Sequence, residues 1–331
     1  MTNRERVAAV LGGKKADRLP TVEWATWWNL TVDRWQQEGA PAQTGPDTLQ
    51  NYFGIDPLRQ IWLGIRGNGL PVPAKFGAGI LSDEAKYNAL HNKLFCEEQL
   101  QDALNCAQEW RAGHERGDYA QWLTLEGFFW FPRTLFGIEE HLYAFYDQPE
   151  LMHRMNRELT EYHLHCLEKL LPVMRPEFMT FAEDMSYNHG PMISRELFDE
   201  FMKPYYKKLI PVLKDAGVHV LIDTDGNVEP LIPWFQEVGI EGVLPLERQA
   251  GVDVNRIRAR YPEWIMIGGY DKTIMHLGEE RMEQEFERLL PAMKSGRYLP
   301  SVDHQTPPDV SAEQYRSYVR LLKKYAALAV Q

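Results

Sequence analysis

The chain has 331 residues, 44% of them hydrophobic and 25% charged, a mixture that excludes disorder, collagen-like sequence and coiled coil as its main state. Its 47 acidic and 36 basic residues leave a net charge of −11, which argues against nucleic acid or an anionic membrane as a partner. Three cysteines, none in a Cys-x-x-Cys pair, form no disulfide framework.

The charged start, Met1 to Arg6, lacks the apolar stretch of a signal peptide, and no apolar run is long enough to span a membrane. The cytoplasm is therefore the expected compartment. Ten tryptophans are a high count and hint at a cavity with aromatic walls.

In chain order, a helix is predicted over 3–11, closed by Gly12 and Gly13, then a strand over 19–24 and a helix over 27–38. A strand follows over 60–65. Residues 66–95, rich in Gly and Pro, read as a small β insertion, and a helix covers 97–116. After that, short apolar runs alternate with amphipathic stretches. Strands are predicted over 122–127, 178–184, 218–223, 242–246, 264–268 and 298–302. Helices are predicted over 149–172, 194–216, 228–238, 253–261, 279–295 and 311–328. On the long helix over 149–172, Met152, Met155, Leu159, Tyr162 and Cys166 follow core spacing, and His163 and His165 read as surface or capping residues. Eight strands, seven with a following helix, predict an α/β fold, a (β/α)8 TIM barrel with an insertion near 66–95, in one domain over 1–331.

Active sites of such barrels lie where strands end. Five strand ends here carry acids: Glu183 and Asp184, Asp223 and Asp225, Glu247, Asp271, and Asp303 followed by His304. Carboxylates gathered in a partly dry cleft repel one another and need a cation, a cationic substrate or raised pKa values. Asp223 and Asp225, two apart, share one side of an extended chain. With His304, and with Glu247 as a further ligand, they make a reasonable set for Zn, Mn or Fe. Each acid is equally what a helix N-cap or solvated loop uses, and Arg248 or Lys272 is the rival source of positive charge. Trp24, Trp27 and Trp28 either line a pocket or pack, and Gly268-Gly269 marks a close backbone approach or a tight turn.

Several short motifs add a resemblance. Arg4-Glu5-Arg6-Val7 and Asp17-Arg18-Leu19-Pro20 open the chain. Gly190-Pro191-Met192-Ile193-Ser194, Pro204-Tyr205, Asp225-Gly226-Asn227, Gly268-Gly269 and Asp303-His304 through Pro307-Pro308 follow. Together they resemble the uroporphyrinogen decarboxylase superfamily, which also holds cobalamin-dependent methyltransferases, over nearly the whole chain. The resemblance implies a TIM barrel. True decarboxylases carry an arginine-rich segment near the N-terminus that grips substrate carboxylates, where this sequence has Trp24 to Asn29.

The methyltransferase branch holds zinc with His-x-Cys and a distant Cys. By position Asp223 and Asp225 stand for the first pair and His304 for the last. The resemblance thus implies a divalent metal, zinc first among them, on Asp223, Asp225 and His304. It also implies transfer of a methyl group from a small O- or N-methylated substrate to a corrinoid carried by a partner protein. Glu183, Asp184 and Glu247 are the expected acid or orienting groups, and Trp24, Trp27, Trp28 and Asp271 the expected substrate contacts. The alternatives are a decarboxylase-like lyase and a barrel that binds a tetrapyrrole or corrinoid without turnover.

Overall fold

The computed structural model describes residues 1–331. Seven strands form one parallel sheet: β1 (Leu58–Trp62), β2 (Ala120–Glu126), β3 (Phe178–Ala182), β4 (His219–Asp223), β5 (Gly242–Leu244), β6 (Ile265–Tyr270) and β7 (Tyr298–Val302). Their order in the sheet is their order in the chain, the sequence of neighbours that successive βα units produce in a barrel-like sheet. β2, β3, β5, β6 and β7 are buried along their whole length, because helices cover one face and the sheet's own curvature encloses the other. That is why apolar residues in these runs do not alternate with exposed polar ones, and why the polar residues they do carry, such as Thr124, Thr180 and Ser301, are buried and hydrogen-bonded.

The eighth strand, expected over 19–24, does not form. Pro20 has no N–H, Leu19 N donates to Ala326 O at 3.1 Å, and Thr21 N donates to the Asp56 carboxylate at 2.9 Å, so the donors a ladder would use are spent elsewhere. The extended segment still fills the place between the two edge strands. Trp24 Nε1 donates to Val302 O, at the end of β7, at 2.7 Å. Asp56 N, just before β1, donates to Thr21 O at 2.8 Å. The buried Glu23 accepts from Ser301 Oγ with one oxygen and from Tyr315 Oη with the other, at 3.0 Å. The architecture is thus a curled seven-stranded sheet, and side chains rather than strand pairing bridge its seam.

Other differences have local causes. The β insertion expected over 66–95 is instead a helix, Glu84–Leu90, started by the Asp83 cap on Lys86 N, and a 3-10 turn, His91–Lys93. Only the isolated bridges Arg66 to Leu94 and Ala78 to Gly137 are extended there. The helix expected over 194–216 breaks at Met202 into Arg195–Phe201 and Lys203–Asp215, since Pro204 belongs at a helix start. Helices Trp130–Phe136 and Ile138–Asp147 and a hairpin pairing Ser186–Tyr187 with Gly190–Pro191 were not foreseen. His163 is buried, 2.9 Å from Glu126 O, so the surface reading was wrong for it. Gly268 and Gly269 have φ of +102° and +79°, and Pro245 O crowds the first, so their freedom serves strand packing. No helix is long and apolar enough to cross a membrane.

Candidate functional site

The parallel register sets the site. Ala182 at the end of β3 pairs with Asp223 at the end of β4, and Asp223 with Leu244 of β5. Glu183 N donates to Asp223 O at 2.9 Å, Thr224 N to Leu244 O at 3.1 Å, and Asp303 N to Tyr270 O at 2.8 Å. The strand ends therefore lie side by side and deliver their acids to one rim. A cavity of about 290 Å³ opens there.

The acids do different things. Glu183 borders the cavity, yet both its oxygens are committed. It accepts from Phe128 N at 2.8 Å, Phe129 N at 2.7 Å, Trp130 N at 3.0 Å and the Tyr206 hydroxyl. Burial lifts its pKa to about 7, with the Tyr206 and amide bonds pulling the other way. It holds the turn that starts the helix Trp130–Phe136. This corrects the expectation of a free catalytic acid. Asp184, at φ +50°, accepts from Arg133 Nη1 through its carbonyl at 2.8 Å and its carboxylate at 3.1 Å.

Asp223 has a half-buried carboxyl with no hydrogen bond to the protein. Burial first, then Asp225 and Asp184, hold it well above the usual carboxylate range. Asp225 is lifted to about 8 by burial, Asp184 and Glu247, against the pull of Lys272. His304 is lowered by burial and by Lys272. A positive charge in the cavity would relieve both aspartates.

One ligand atom from each of Asp225, Glu247 and His304 falls within 4.8 Å of the others. His304 Nε2 is 3.9 Å from Asp225 Oδ2. Glu247 is aimed by Gly226 N, which donates to its Oε2 at 2.8 Å. Glu247 thus takes the place in this trio that Asp223 was expected to fill. Neither expected basic residue serves the trio directly. Lys272 Nζ lies 3.6 Å from the buried Asp303, and Arg248 Nη1 lies 2.6 Å from Val252 O and 3.6 Å from Asp253. Asp303, which also accepts from Arg248 N at 3.0 Å and Lys272 N at 3.1 Å, is a tie between neighbouring loops.

Of the three expected tryptophans only Trp24 lines this cavity. Trp27 packs edge-on against Trp35 at 5.8 Å and Tyr315 at 5.8 Å, and Trp28 is exposed at the start of the helix Asn29–Gln37. Asp271 caps the 3-10 turn Lys272–Leu277 and accepts from Thr273 N at 2.9 Å; it does not line this cavity. The other aromatic walls are Trp62, Trp122 and Trp130. Trp24 and Trp122 meet at 6.4 Å with planes 55° apart. Trp62 ends β1 and was missed because the strand was expected to run on to residue 65. Trp130 follows a turn that no periodicity marks. Gln60, Thr26 and Gln305 complete the polar lining, and no lysine or arginine lines the cavity.

The chain is thus a curled parallel α/β sheet whose cavity, lined by acids and indoles, opens where strands of such folds end. The chain belongs to the uroporphyrinogen decarboxylase (URO-D) family, whose model matches residues 133–325. Among solved structures it is similar to a methyltransferase from Methanosarcina mazei, with a TM-score of 0.67 and 16% identity over 98% of this chain and 99% of that one. Weaker likenesses are to a B12-independent methionine synthase from a Shewanella species, TM-score 0.37, 10% identity, over 67% of this chain and 65% of that one. An endo-1,4-beta-mannanase from Rhizomucor miehei gives TM-score 0.48 and 10% identity, over 96% of each chain. No match is found among the curated proteins.

Proposed function

We propose that the protein is a methyltransferase-like enzyme that moves a methyl group from a small O- or N-methylated substrate to a corrinoid carried by a partner protein. The observation that carries this reading is the cavity's chemistry: indole walls, an acidic end and no cationic side chain in its lining. A tetrapyrrole polycarboxylate would meet Asp184, Asp223 and Asp225 with no arginine to receive it. A small methylated compound meets apolar surface instead. The carboxy-lyase reading rests on the family's name alone.

A divalent metal fits the donor set, because Asp225, Glu247 and His304 bring two oxygens and one nitrogen within reach of a single ion and crowd two carboxyls that need a positive neighbour. Zinc is the first choice, with manganese and iron(II) next. When bound, such an ion would answer the charge of Asp225 and Glu247 and would supply Lewis acidity where the leaving atom is an oxygen. The chain's own residues do the rest. Glu183 fixes the turn that carries Trp130, Asp184 is held by Arg133, and the indoles of Trp24 and Trp122 exclude water from the methyl group.

Two measurements test this. Calorimetry of zinc added to metal-free protein is expected to show one site, weakened about tenfold or more in His304→Ala. The visible spectrum of reduced cobalamin, mixed with the zinc-loaded protein and small methyl ethers or methylamines, is expected to report methylation. Carbon dioxide released from uroporphyrinogen without a corrinoid, at about 1 per second or faster, would replace this reading with the lyase. Tight corrinoid or tetrapyrrole binding with neither product would leave a binding protein.

A further inference from the structure

We infer that the cavity recognises a methylated ammonium cation, its methyl groups against the indoles of Trp24, Trp62, Trp122 and Trp130 and its charge beside Asp223; this rests on the methyl-transfer reading and narrows it to one substrate class.

The walls come first. Four indoles line a space of about 290 Å³, at the lower edge of the ~300–1,000 Å³ usual for small-molecule pockets. Indole is the best aromatic partner for a cation, and quaternary ammonium groups are the ligands that cages of such rings accept. Two of the rings are fixed before any ligand arrives. Trp24 is tied by its Nε1 to Val302 O at 2.7 Å, and Trp122 is wedged between Trp24 and Phe178, 5.1 Å from the latter. The cage is therefore preorganised on its inner side, and Trp62, 47% exposed, forms the open side.

Charge accounting gives the sign of the ligand. The rim carries Asp184, Asp223, Asp225 and Glu247. Arg133 answers Asp184. A divalent ion would answer Asp225 and Glu247, and Lys272 is engaged by Asp303. Asp223 is left over, without a hydrogen bond and facing the cavity. A carboxyl without a hydrogen bond, beside indoles and with no lysine or arginine in the lining, suits a cationic ligand.

The transfer itself suits such a donor. The carbon–nitrogen bond breaks with both electrons left on nitrogen, so the amine departs uncharged. The methyl carbon takes its new bond from the electron pair of the reduced corrinoid acceptor. No proton has to reach the leaving nitrogen, whereas an ether oxygen would leave as an anion and need a proton or a metal. The commitment of both Glu183 oxygens to backbone amides is consistent with a reaction that asks for no acid.

The test is a titration of the zinc-loaded full chain with tetramethylammonium chloride, read by tryptophan fluorescence at constant ionic strength. Saturable quenching is expected, with tert-butanol, a neutral group of similar outline, at least about tenfold weaker. Trp62→Ala and Asp223→Asn are each expected to weaken tetramethylammonium about tenfold, and Trp62→Phe, which keeps a ring face, to recover most of the loss. Far-ultraviolet circular dichroism checks that each variant is folded; Trp62 is exposed enough that its replacement leaves the core alone. Equal binding of the cation and tert-butanol, or binding that neither variant weakens, would overturn the inference. Methylation of cobalamin from anisole without tetramethylammonium binding would overturn the inference alone and leave methyl transfer standing. Binding that depends on Trp62 and Asp223 without any methylation of cobalamin would keep the cation site and end the methyl-transfer reading.

Discussion

Two buried carboxyls, Glu23 and Glu183, do structural work that a glance at composition would assign to chemistry. Each is surrounded by donors, and burial raises each to about 7 from an ordinary 4.5. A folded-state pKa above the unfolded one means the folded chain keeps a proton that the unfolded chain releases. The stabilising contribution is therefore fully present below about 4.5, declines as the pH rises, and is gone above about 7, a swing of about 3 kcal/mol at most for each group. In Glu23→Gln, urea unfolding measured between pH 4.5 and 8 is expected to lose part of this slope; an unchanged slope would mean that Glu23 is ionised throughout. Glu183→Gln is expected to cost about 1–3 kcal/mol at neutral pH, since the amide N–H2 would face one of three backbone N–H donors now served by the carboxyl. Urea midpoints for the two proteins check it.

Among the elements, the loop after β4 is tightly constrained. Gly226 sits at φ +81°, and an added Cβ would lie 2.6 Å from Tyr187 Cα of the small hairpin. Its N–H is the donor that aims Glu247. Gly226→Ala is expected to cost about 1–3 kcal/mol from strain and overpacking, and to weaken zinc binding with it, because Glu247 moves when the loop does. Thermal unfolding and zinc calorimetry on the same variant check both.

This loop also marks how far the sequence could be read. The order of strands and most helix spans were legible from apolar runs and caps: the first helix, Asn3–Leu11, and β7 fall where their periodicity put them. So did the acids at the strand ends, because parallel strands deliver their last residues to one rim. The strand over 19–24 was not, since alternation of Val22 and Trp24 with polar residues says nothing about where the N–H groups donate. That Glu247 rather than Asp223 comes together with Asp225 and His304 was not legible either. It depends on one backbone donor 21 residues away. Trp122 was missed for a similar reason: a buried indole in a strand looks the same whether it meets core or cavity.

At the scale of the whole molecule, the seam is the weak line of the barrel. Between β7 and β1 the sheet has no ladder, and the amides of Val22, Glu23 and Trp24 pair with no strand. Hydrogen exchange is expected to be faster there than at Val220 to Ile222 in the centre of β4, where every neighbour is a strand. Mass spectrometry of deuterated peptides checks this. Equal protection would show that the side-chain ties of Glu23 and Trp24 hold the segment as firmly as a ladder would.

The region matched by the family model, 133–325, contains every carboxylate of the rim and His304, while all four indoles of the cavity come from residues before it. Acids and indoles are thus written in different stretches of the chain, yet Glu183 holds the amides of Phe128, Phe129 and Trp130, and Glu23 and Trp24 reach Ser301 and Val302. The two halves of the cavity are laced together, so a change to the indole-bearing third of the chain is also a change to the footing of the acids.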